Sequence, residues 1–214
     1  MSHYTLYIAN RNYSSWSLRP WLLMTELRIP FTETLVPFEE SNHANFSRFS
    51  PNARVPCLHD GDTVIWDSLA IIEYLDETHP EPALLPKDAL GRAHVRALAQ
   101  SIACEIHPIN NLRVLKYLSG TLGLSEDQKN TWYRHWVRDG LEAFERQLAQ
   151  GPESTYCFGH TPTLADCCLV PQIFNGKRFA VSFDGLPLTM AAFDACMKLE
   201  AFQKAQSSAC PDAE

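Results

Sequence analysis

Tyr4-Thr-Leu-Tyr-Ile8 is a compact run of β-formers and predicts a strand at the start of the chain. Asn10 to Ser15 is polar turn material. Ser17 to Leu27 then places Leu18, Trp21, Leu22 and Leu23 at helical spacing. Phe31 to Val36, entered through Pro30, reads as a second strand. Val55-Pro-Cys-Leu58 and Thr63-Val-Ile-Trp66 predict two short strands around an Asp60-Gly61 turn. Asp67-Ser68 caps an apolar helix running through Leu69, Ile71, Ile72 and Leu75. The order βα, β, ββα predicts a small α/β layer with helices packed on a mixed sheet.

Pro80, Pro82 and Pro86 mark a linker, after which strand signals vanish. Val95, Leu98, Ile102, Ile106, Ile109 and Leu112 step by three or four, as do Trp132, Trp136, Val137, Leu141, Phe144 and Leu148. Pro108 and Pro171 fall inside helical patterns and are expected to kink or end them. The expected organisation is an α/β domain over 1–80, a linker at 81–88 and an all-α domain over 89–214.

The composition, 45% hydrophobic and 20% charged over 214 residues, is that of a globular chain with a real core. The longest apolar stretches, such as Leu69 to Ile72 and Cys167 to Pro171, are far short of the roughly 20 residues that span a bilayer. No secretory signal is visible at Met1-Ser2-His3-Tyr4, so the cytoplasm is the expected compartment. Net charge is −7 and the Arg and Lys residues are scattered, which argues against a nucleic-acid partner. The seven cysteines (57, 104, 157, 167, 168, 196 and 210) include no CxxC and no paired zinc spacing. They read as reduced, mostly buried thiols, and no metal is expected.

Three local signals carry chemistry. Asn12-Tyr-Ser-Ser-Trp-Ser-Leu-Arg19 lies between the first strand and the first helix. A hydroxyl there meets backbone N–H groups and the positive helix end, a setting that suits an anion and a thiolate in particular, although a plain N-cap is the alternative. Arg54-Val-Pro-Cys-Leu58 is the second. A cis bond before Pro56 would turn the Val55 backbone outward toward a peptide-like ligand, and Asp67-Ser68 at a helix start could then hold a ligand carboxylate. The alternative is an edge strand and a capped helix. The third, Thr161-Pro-Thr-Leu-Ala-Asp166, has nearly the capping-box spacing and reads as structural.

In this order, the strand–loop–helix with a hydroxyl, the Val-Pro before a hairpin, the Asp-Ser helix start, the proline linker and the all-α half resemble the glutathione transferase superfamily. The likeness is greatest to its zeta class, through Asp67-Ser-Leu-Ala-Ile-Ile-Glu-Tyr-Leu75, Ile106-His-Pro-Ile-Asn-Asn-Leu-Arg-Val-Leu115 and Thr163-Leu-Ala-Asp-Cys-Cys-Leu-Val-Pro-Gln172, continuing to Arg178-Phe179. Leu199-Glu-Ala-Phe202 and Cys210-Pro-Asp212 are similar to that class as well. The zeta pattern Ser-Ser-Cys-Ser-Trp-Arg-Val-Arg is Ser14-Ser-Trp-Ser-Leu-Arg-Pro-Trp21 here, with Trp16 in the place of the cysteine.

The resemblance implies an N-terminal thioredoxin-like domain, an all-helical C-terminal domain and glutathione as cofactor. It implies Ser14 as the hydroxyl that activates the glutathione thiol, with Ser15 beside it. Val55 would pair with the cysteinyl backbone of glutathione beside a cis Pro56, Asp67 and Ser68 would hold its γ-glutamyl end, and Arg54 and Asn110 would also be among the glutathione-binding residues. Asn110 matches a glutamine near the active site of the class. Arg178 matches an arginine that binds an acceptor carboxylate; such a carboxylate needs a cation, for which Arg11 is a second candidate, and a solvated side chain is the alternative for both. Trp16, a departure from the class pattern, is a bulky indole that would narrow the acceptor pocket. The activity implied is cis–trans isomerisation of a maleylacetoacetate-like substrate by transient thiol addition, in a homodimer. The alternatives are a general conjugase of small electrophiles and a non-catalytic binding or scaffold relative.

Overall fold

Tyr4–Ile8 forms strand β1 in the computed structural model, which describes residues 4–9, 14–36, 50 and 54–204. Side chains alternate across the strand, so Tyr4, Leu6 and Ile8 are buried while Thr5 and Tyr7 are half-buried. Helix α1 (Ser15–Glu26) follows, then β2 (Phe31–Leu35), β3 (Cys57–Asp60), β4 (Thr63–Trp66) and helix α2 (Ser68–Thr78). The third strand begins at Cys57, two residues later than its β-forming run suggests, because Pro56 has no N–H for the ladder. Sheet order is β2-β1-β3-β4; β1 pairs parallel with β2 and antiparallel with β3, which pairs antiparallel with β4. This mixed four-stranded sheet, built as βαβ followed by ββα, is the thioredoxin-like arrangement.

Two compact units divide the chain: Met1–Leu84 with Met197–Glu214, and Leu85–Cys196. In the first, α1 and α2 pack against each other, α1 lies against β1, and α2 lies against β3 and β4. Leu18, Leu22, Leu23 and Met24 of α1 join Ile71, Ile72 and Leu75 of α2 in its core. Trp21 fastens α1 to β2 by donating from Nε1 to Glu33 Oε2 at 2.8 Å. The short helix α8 (Glu200–Lys204) returns to this unit and packs on α1.

Among its described residues the second unit is helical: α3 (Ala89–Gln100), α4 (Leu112–Gly120), α5 (Glu126–Gln150), α6 (Leu164–Arg178) and α7 (Pro187–Cys196). The apolar steps from Val95 to Leu112 suggest one helix face, yet the chain breaks there into a π-helical turn at Ser101–Ile106 and a 3₁₀ turn at Pro108–Asn110. Pro108 explains the break. Its ring would collide with the carbonyl four residues back, and the wider turn, in which the His107 N–H reaches Ile102 O at 2.9 Å, relieves the crowding. Helix α5 approaches this turn so closely that a Cβ on Gly140 would overlap the Ile106 side chain. Helix α6 runs unbroken through Pro171 and is buried on nearly all sides, as a central helix must be.

Asp166 in the first turn of α6 is fully buried and is the hub of this unit. Its carboxylate accepts from the Cys157 N–H (2.9 Å), the Thr163 N–H (2.7 Å), the Thr163 hydroxyl (2.8 Å) and Cys196 Sγ (3.5 Å). Burial lifts its carboxyl above the ordinary carboxylate range, and these bonds oppose the rise. One side chain thereby ties the preceding loop and α7 to the start of α6.

Candidate active site

Strand register brings three chain segments that adjoin candidate residues of the first unit to one edge of the sheet. Cys57 opens β3 opposite Tyr7, near the end of β1, and also opposite Trp66, the last residue of β4. The segments that leave β1, enter β3 and leave β4 therefore share an edge. They lead to Ser14, come from Val55-Pro56 and lead to Asp67-Ser68 respectively. An edge of this kind, at strand ends flanked by helix starts, is where α/β layers hold ligands.

Ser14 is the N-cap of α1, with extended backbone (φ −117°, ψ 92°). Its Oγ accepts from the Ser17 N–H at 3.2 Å and donates to Ser17 Oγ at 2.9 Å. Ser17 Oγ in turn accepts from the Ala9 N–H at 3.1 Å, which fastens the helix start to the end of β1. Ser15 and Ser17 are buried, and Trp16 is half-buried. The α1 N-terminus thus presents a cap hydroxyl at the positive end of a helix dipole. Arg11 lies outside the described residues.

The Val55–Pro56 peptide bond is cis. Arg54 is exposed; its carbonyl accepts from the Ser50 hydroxyl at 2.8 Å and its N–H donates back to Ser50 Oγ at 3.3 Å. Val55 is half-buried and Pro56 buried.

Asp67 is the N-cap of α2 and accepts from the Leu69 N–H at 3.0 Å. Its φ of 75° is unusual for a residue with a side chain and costs on the order of 1–3 kcal/mol, a strain that concentrates at ligand clamps. Ser68, the next residue, is only 3% exposed, and its Oγ accepts from Arg19 Nη1 at 3.1 Å. In the sequence Arg19 stands where the zeta pattern also has an arginine. The signal that could have singled it out is a cation within the apolar run Leu18-Arg-Pro-Trp-Leu-Leu-Met24.

Asn110 and Arg178 belong to the second unit. Asn110, in the 3₁₀ turn, is 6% exposed, donates from Nδ2 to Ile106 O at 3.4 Å, and leaves Oδ1 without a partner among the described residues. Arg178 is exposed and closes α6. It acts electrostatically on Tyr133, a buried tyrosine of α5 whose ring stacks on Phe179 at 3.8 Å. Burial pushes the Tyr133 phenol well above its ordinary range, and Arg178 opposes that rise. Tyr133 gave no distinctive sequence signal, because an aromatic at helical spacing reads as core.

The chain's own thiols are poor nucleophiles where they are buried. Burial pushes Cys57 up to about 12 and lifts Cys157 and Cys196 well above the usual thiol range. Cys104 is exposed. Among the described residues no group of three His, Cys, Asp or Glu could hold a metal ion, and no helix is long and apolar enough to cross a membrane.

Known proteins share both halves of this arrangement. Residues 13–78 match the family model of the glutathione S-transferase N-terminal domain, and residues 137–195 that of the C-terminal domain. A probable maleylacetoacetate isomerase of Vibrio cholerae is 44% identical over 81% of this chain and 80% of its own length. The holo structure of a maleylpyruvate isomerase, a bacterial zeta-class glutathione S-transferase, superposes with a TM-score of 0.93 at 42% identity, covering 98% of this chain and 100% of that one. A maleylacetoacetate isomerase of Anaeromyxobacter dehalogenans, solved with glutathione in its active site, gives a TM-score of 0.86 at 32% identity over 100% of both chains. With hydroxyl-bearing starts of α1 and α2 at one sheet edge and relatives spanning nearly its whole length, the chain belongs to the glutathione S-transferase family, among the zeta-class maleylacetoacetate and maleylpyruvate isomerases.

Proposed function

We propose that the chain is a glutathione-dependent cis–trans isomerase of a maleylacetoacetate-like dicarboxylate enone. The observation that carries this reading is the convergence of Ser14, Val55-Pro56 and Asp67-Ser68 on one edge of the sheet. The residues fit a glutathione there: the buried Ser68 hydroxyl is backed by a cation, and the exposed carboxylate of Asp67 stands beside it. Ser68 and Asp67 hold the γ-glutamyl end. Val55, flanked by Arg54 and Pro56, pairs with the cysteinyl backbone. In the helical half, Asn110 is assigned to glutathione and Arg178 to an acceptor carboxylate, which guanidinium pairs with in bidentate fashion. Arg11 and Trp16 are assigned to the acceptor side. Residues 1–80 are the glutathione-binding domain, joined through 81–88 to the helical part that carries the acceptor residues. The working form is a cytoplasmic homodimer.

Bound glutathione supplies the thiolate nucleophile for reversible addition to the activated double bond. The task of the protein is to hold that thiol deprotonated. Two pKa units correspond to about 2.7 kcal/mol. A charge-assisted hydrogen bond from Ser14 is worth about 1.5–3 kcal/mol and the α1 N-terminus about 0.3–1 more. Together these suffice. To donate, the Ser14 hydroxyl hydrogen swings away from Ser17 Oγ while its lone pair keeps the cap bond from the Ser17 N–H.

Trp16 favours a second reading. An indole in the place of the zeta cysteine narrows the acceptor side and suits a broad conjugase of small electrophiles. Turnover of maleylacetoacetate and maleylpyruvate, measured with glutathione beside a chlorinated aromatic electrophile, separates the two. Isomerisation without loss of glutathione is expected. Consumption of glutathione with the aromatic, and none of the isomerisation, establishes the conjugase. Glutathione binding without any turnover leaves a scaffold.

A further inference from the structure

Helix α6 ends in a conformation that a side chain resists. Ala180 has a φ of 53°, in the left-handed region that glycine usually fills at such a terminus. Its N–H donates to Lys177 O at 3.1 Å, and that of Val181 to Gly176 O at 2.9 Å. Beyond the turn, Phe183 comes so close that a Cβ on Gly176 would overlap its ring. Strain of this kind persists only where the surroundings fix one arrangement, and it concentrates at functional sites. The residue placed by this arrangement is Arg178, whose exposed head stands on a long stem with much rotamer freedom to lose.

Tyr133 faces that terminus from α5. It is 3% exposed, and its ring stacks on Phe179, the neighbour of Arg178, with planes only 15° from parallel. The stack needs no more than a phenyl ring, yet an oxygen is buried with it. Gln172 of α6, 1% exposed, approaches that oxygen, and neither Nε2 nor Oε1 of its amide completes a hydrogen bond among the described residues. A phenylalanine and an aliphatic residue would fill the same space without burying polar atoms so poorly paired, so the oxygen and the amide call for a role beyond packing. Gln172 and Arg178 both favour negative charge on the phenol oxygen, against burial, which opposes it. The oxygen is thus an acceptor with an amide N–H and a guanidinium about it, and a guanidinium has only donors to offer.

We infer that Tyr133 is a positioning residue for the electrophile: its phenol oxygen, held by the Gln172 amide, orients the Arg178 guanidinium toward an acceptor carboxylate. The inference rests on the assignment of Arg178 to that carboxylate.

The test compares, by calorimetry, S-dicarboxyethyl-glutathione, which carries carboxylates where the acceptor sits, with S-ethylglutathione, which carries none there. Wild type, Tyr133→Phe, Gln172→Met, Arg178→Ala and the double variant Tyr133→Phe/Arg178→Ala are measured, and the ligand-free proteins are melted alongside. Wild type is expected to prefer the dicarboxylate by about 10- to 100-fold, the worth of a hydrogen bond to a charged group, and Arg178→Ala to lose that preference. Tyr133→Phe and Gln172→Met are each expected to reduce it by about three- to tenfold while binding S-ethylglutathione as wild type does. In the Arg178→Ala background Tyr133→Phe should change nothing further, since no cation is left to orient. Gln172→Met is expected to melt at or above the wild-type temperature, because it removes a poorly paired buried amide. A full preference in Tyr133→Phe or Gln172→Met overturns the inference, and so does a Tyr133→Phe effect that persists without Arg178. Equal losses for both ligands, or failure of Tyr133→Phe to fold, also overturn it, by making the phenol a support of the fold. If Arg178→Ala loses the preference and Tyr133→Phe keeps it, only this inference falls. If wild type has no preference, or Arg178→Ala keeps it, the Arg178 assignment falls as well.

Discussion

Ser14 is both a helix cap and the candidate activating hydroxyl, and a single oxygen can fill both places. Its lone pair holds the Ser17 N–H, while its hydrogen, now on Ser17 Oγ, can be redirected to sulfur by rotation about one bond. Removing the oxygen should therefore have two separable effects. Ser14→Ala is expected to raise the pKa of bound glutathione's thiol by about one to two units, seen in the ultraviolet absorbance of the thiolate, with affinity within about tenfold. It is also expected to lose about 1 kcal/mol of stability in urea unfolding, the worth of an N-cap. If Ser15→Ala moves the thiol pKa and Ser14→Ala does not, the roles within the pair are exchanged. The cap half of this picture follows from local sequence, because a serine before an apolar helical run is a cap wherever it occurs. Arg19 differs: nothing in its neighbours along the chain tells that it is buried against Ser68.

At the scale of elements, packing rather than propensity sets the limits. Gly140 lies inside α5, where glycine is normally a weakness. Here it admits the π-helical turn, since a Cβ would strike Ile106. Gly140→Ala is accordingly expected to destabilise the chain by about 1–3 kcal/mol in chemical denaturation, despite its better helix propensity. The junction of α1 and α8 carries a different tension. Glu26, at the end of α1, is held above its ordinary value of 4.5 chiefly by burial and further by Glu200, while Arg28 opposes both. A carboxyl whose pKa is raised on folding is most favourable to the fold when protonated. Its contribution is fully present below the unfolded value and is lost as pH rises through the folded one. Glu26→Gln should thus melt higher than wild type at neutral pH, with the difference shrinking toward zero as pH falls below about 4. A gap that grows on acidification would place Glu26 in a favourable pairing instead.

For the whole molecule, a ligand that binds only the folded chain stabilises it by mass action. Glutathione at 100 times its dissociation constant should add about 2.7 kcal/mol and raise the melting temperature, whereas cysteinyl-glycine, which lacks the γ-glutamyl group, should add much less at equal concentration. The sequence by itself determined the order βα, β, ββα and the change to an all-helical second half, because alternation, helical spacing and turn chemistry are properties of a few neighbouring residues. It determined a hydroxyl cap among Ser14, Ser15 and Ser17 and a cap at Asp67-Ser68 for the same reason, and the structure selects Ser14 and Asp67. Through ordered motifs it also determined the family. Pro108 marked a kink or end of the helix in the sequence, but the form of the break, a π turn at Ser101–Ile106 and a 3₁₀ turn at Pro108–Asn110, escaped it, since the apolar steps continue across both turns. Tertiary structure alone decided that Cys57 lies opposite both Tyr7 and Trp66, which brings three distant segments to one edge. It alone placed a guanidinium on a hydroxyl 49 positions away. Such pairings are fixed by strand register and helix packing, which sum over contacts between residues far apart in the chain and leave no local period to read.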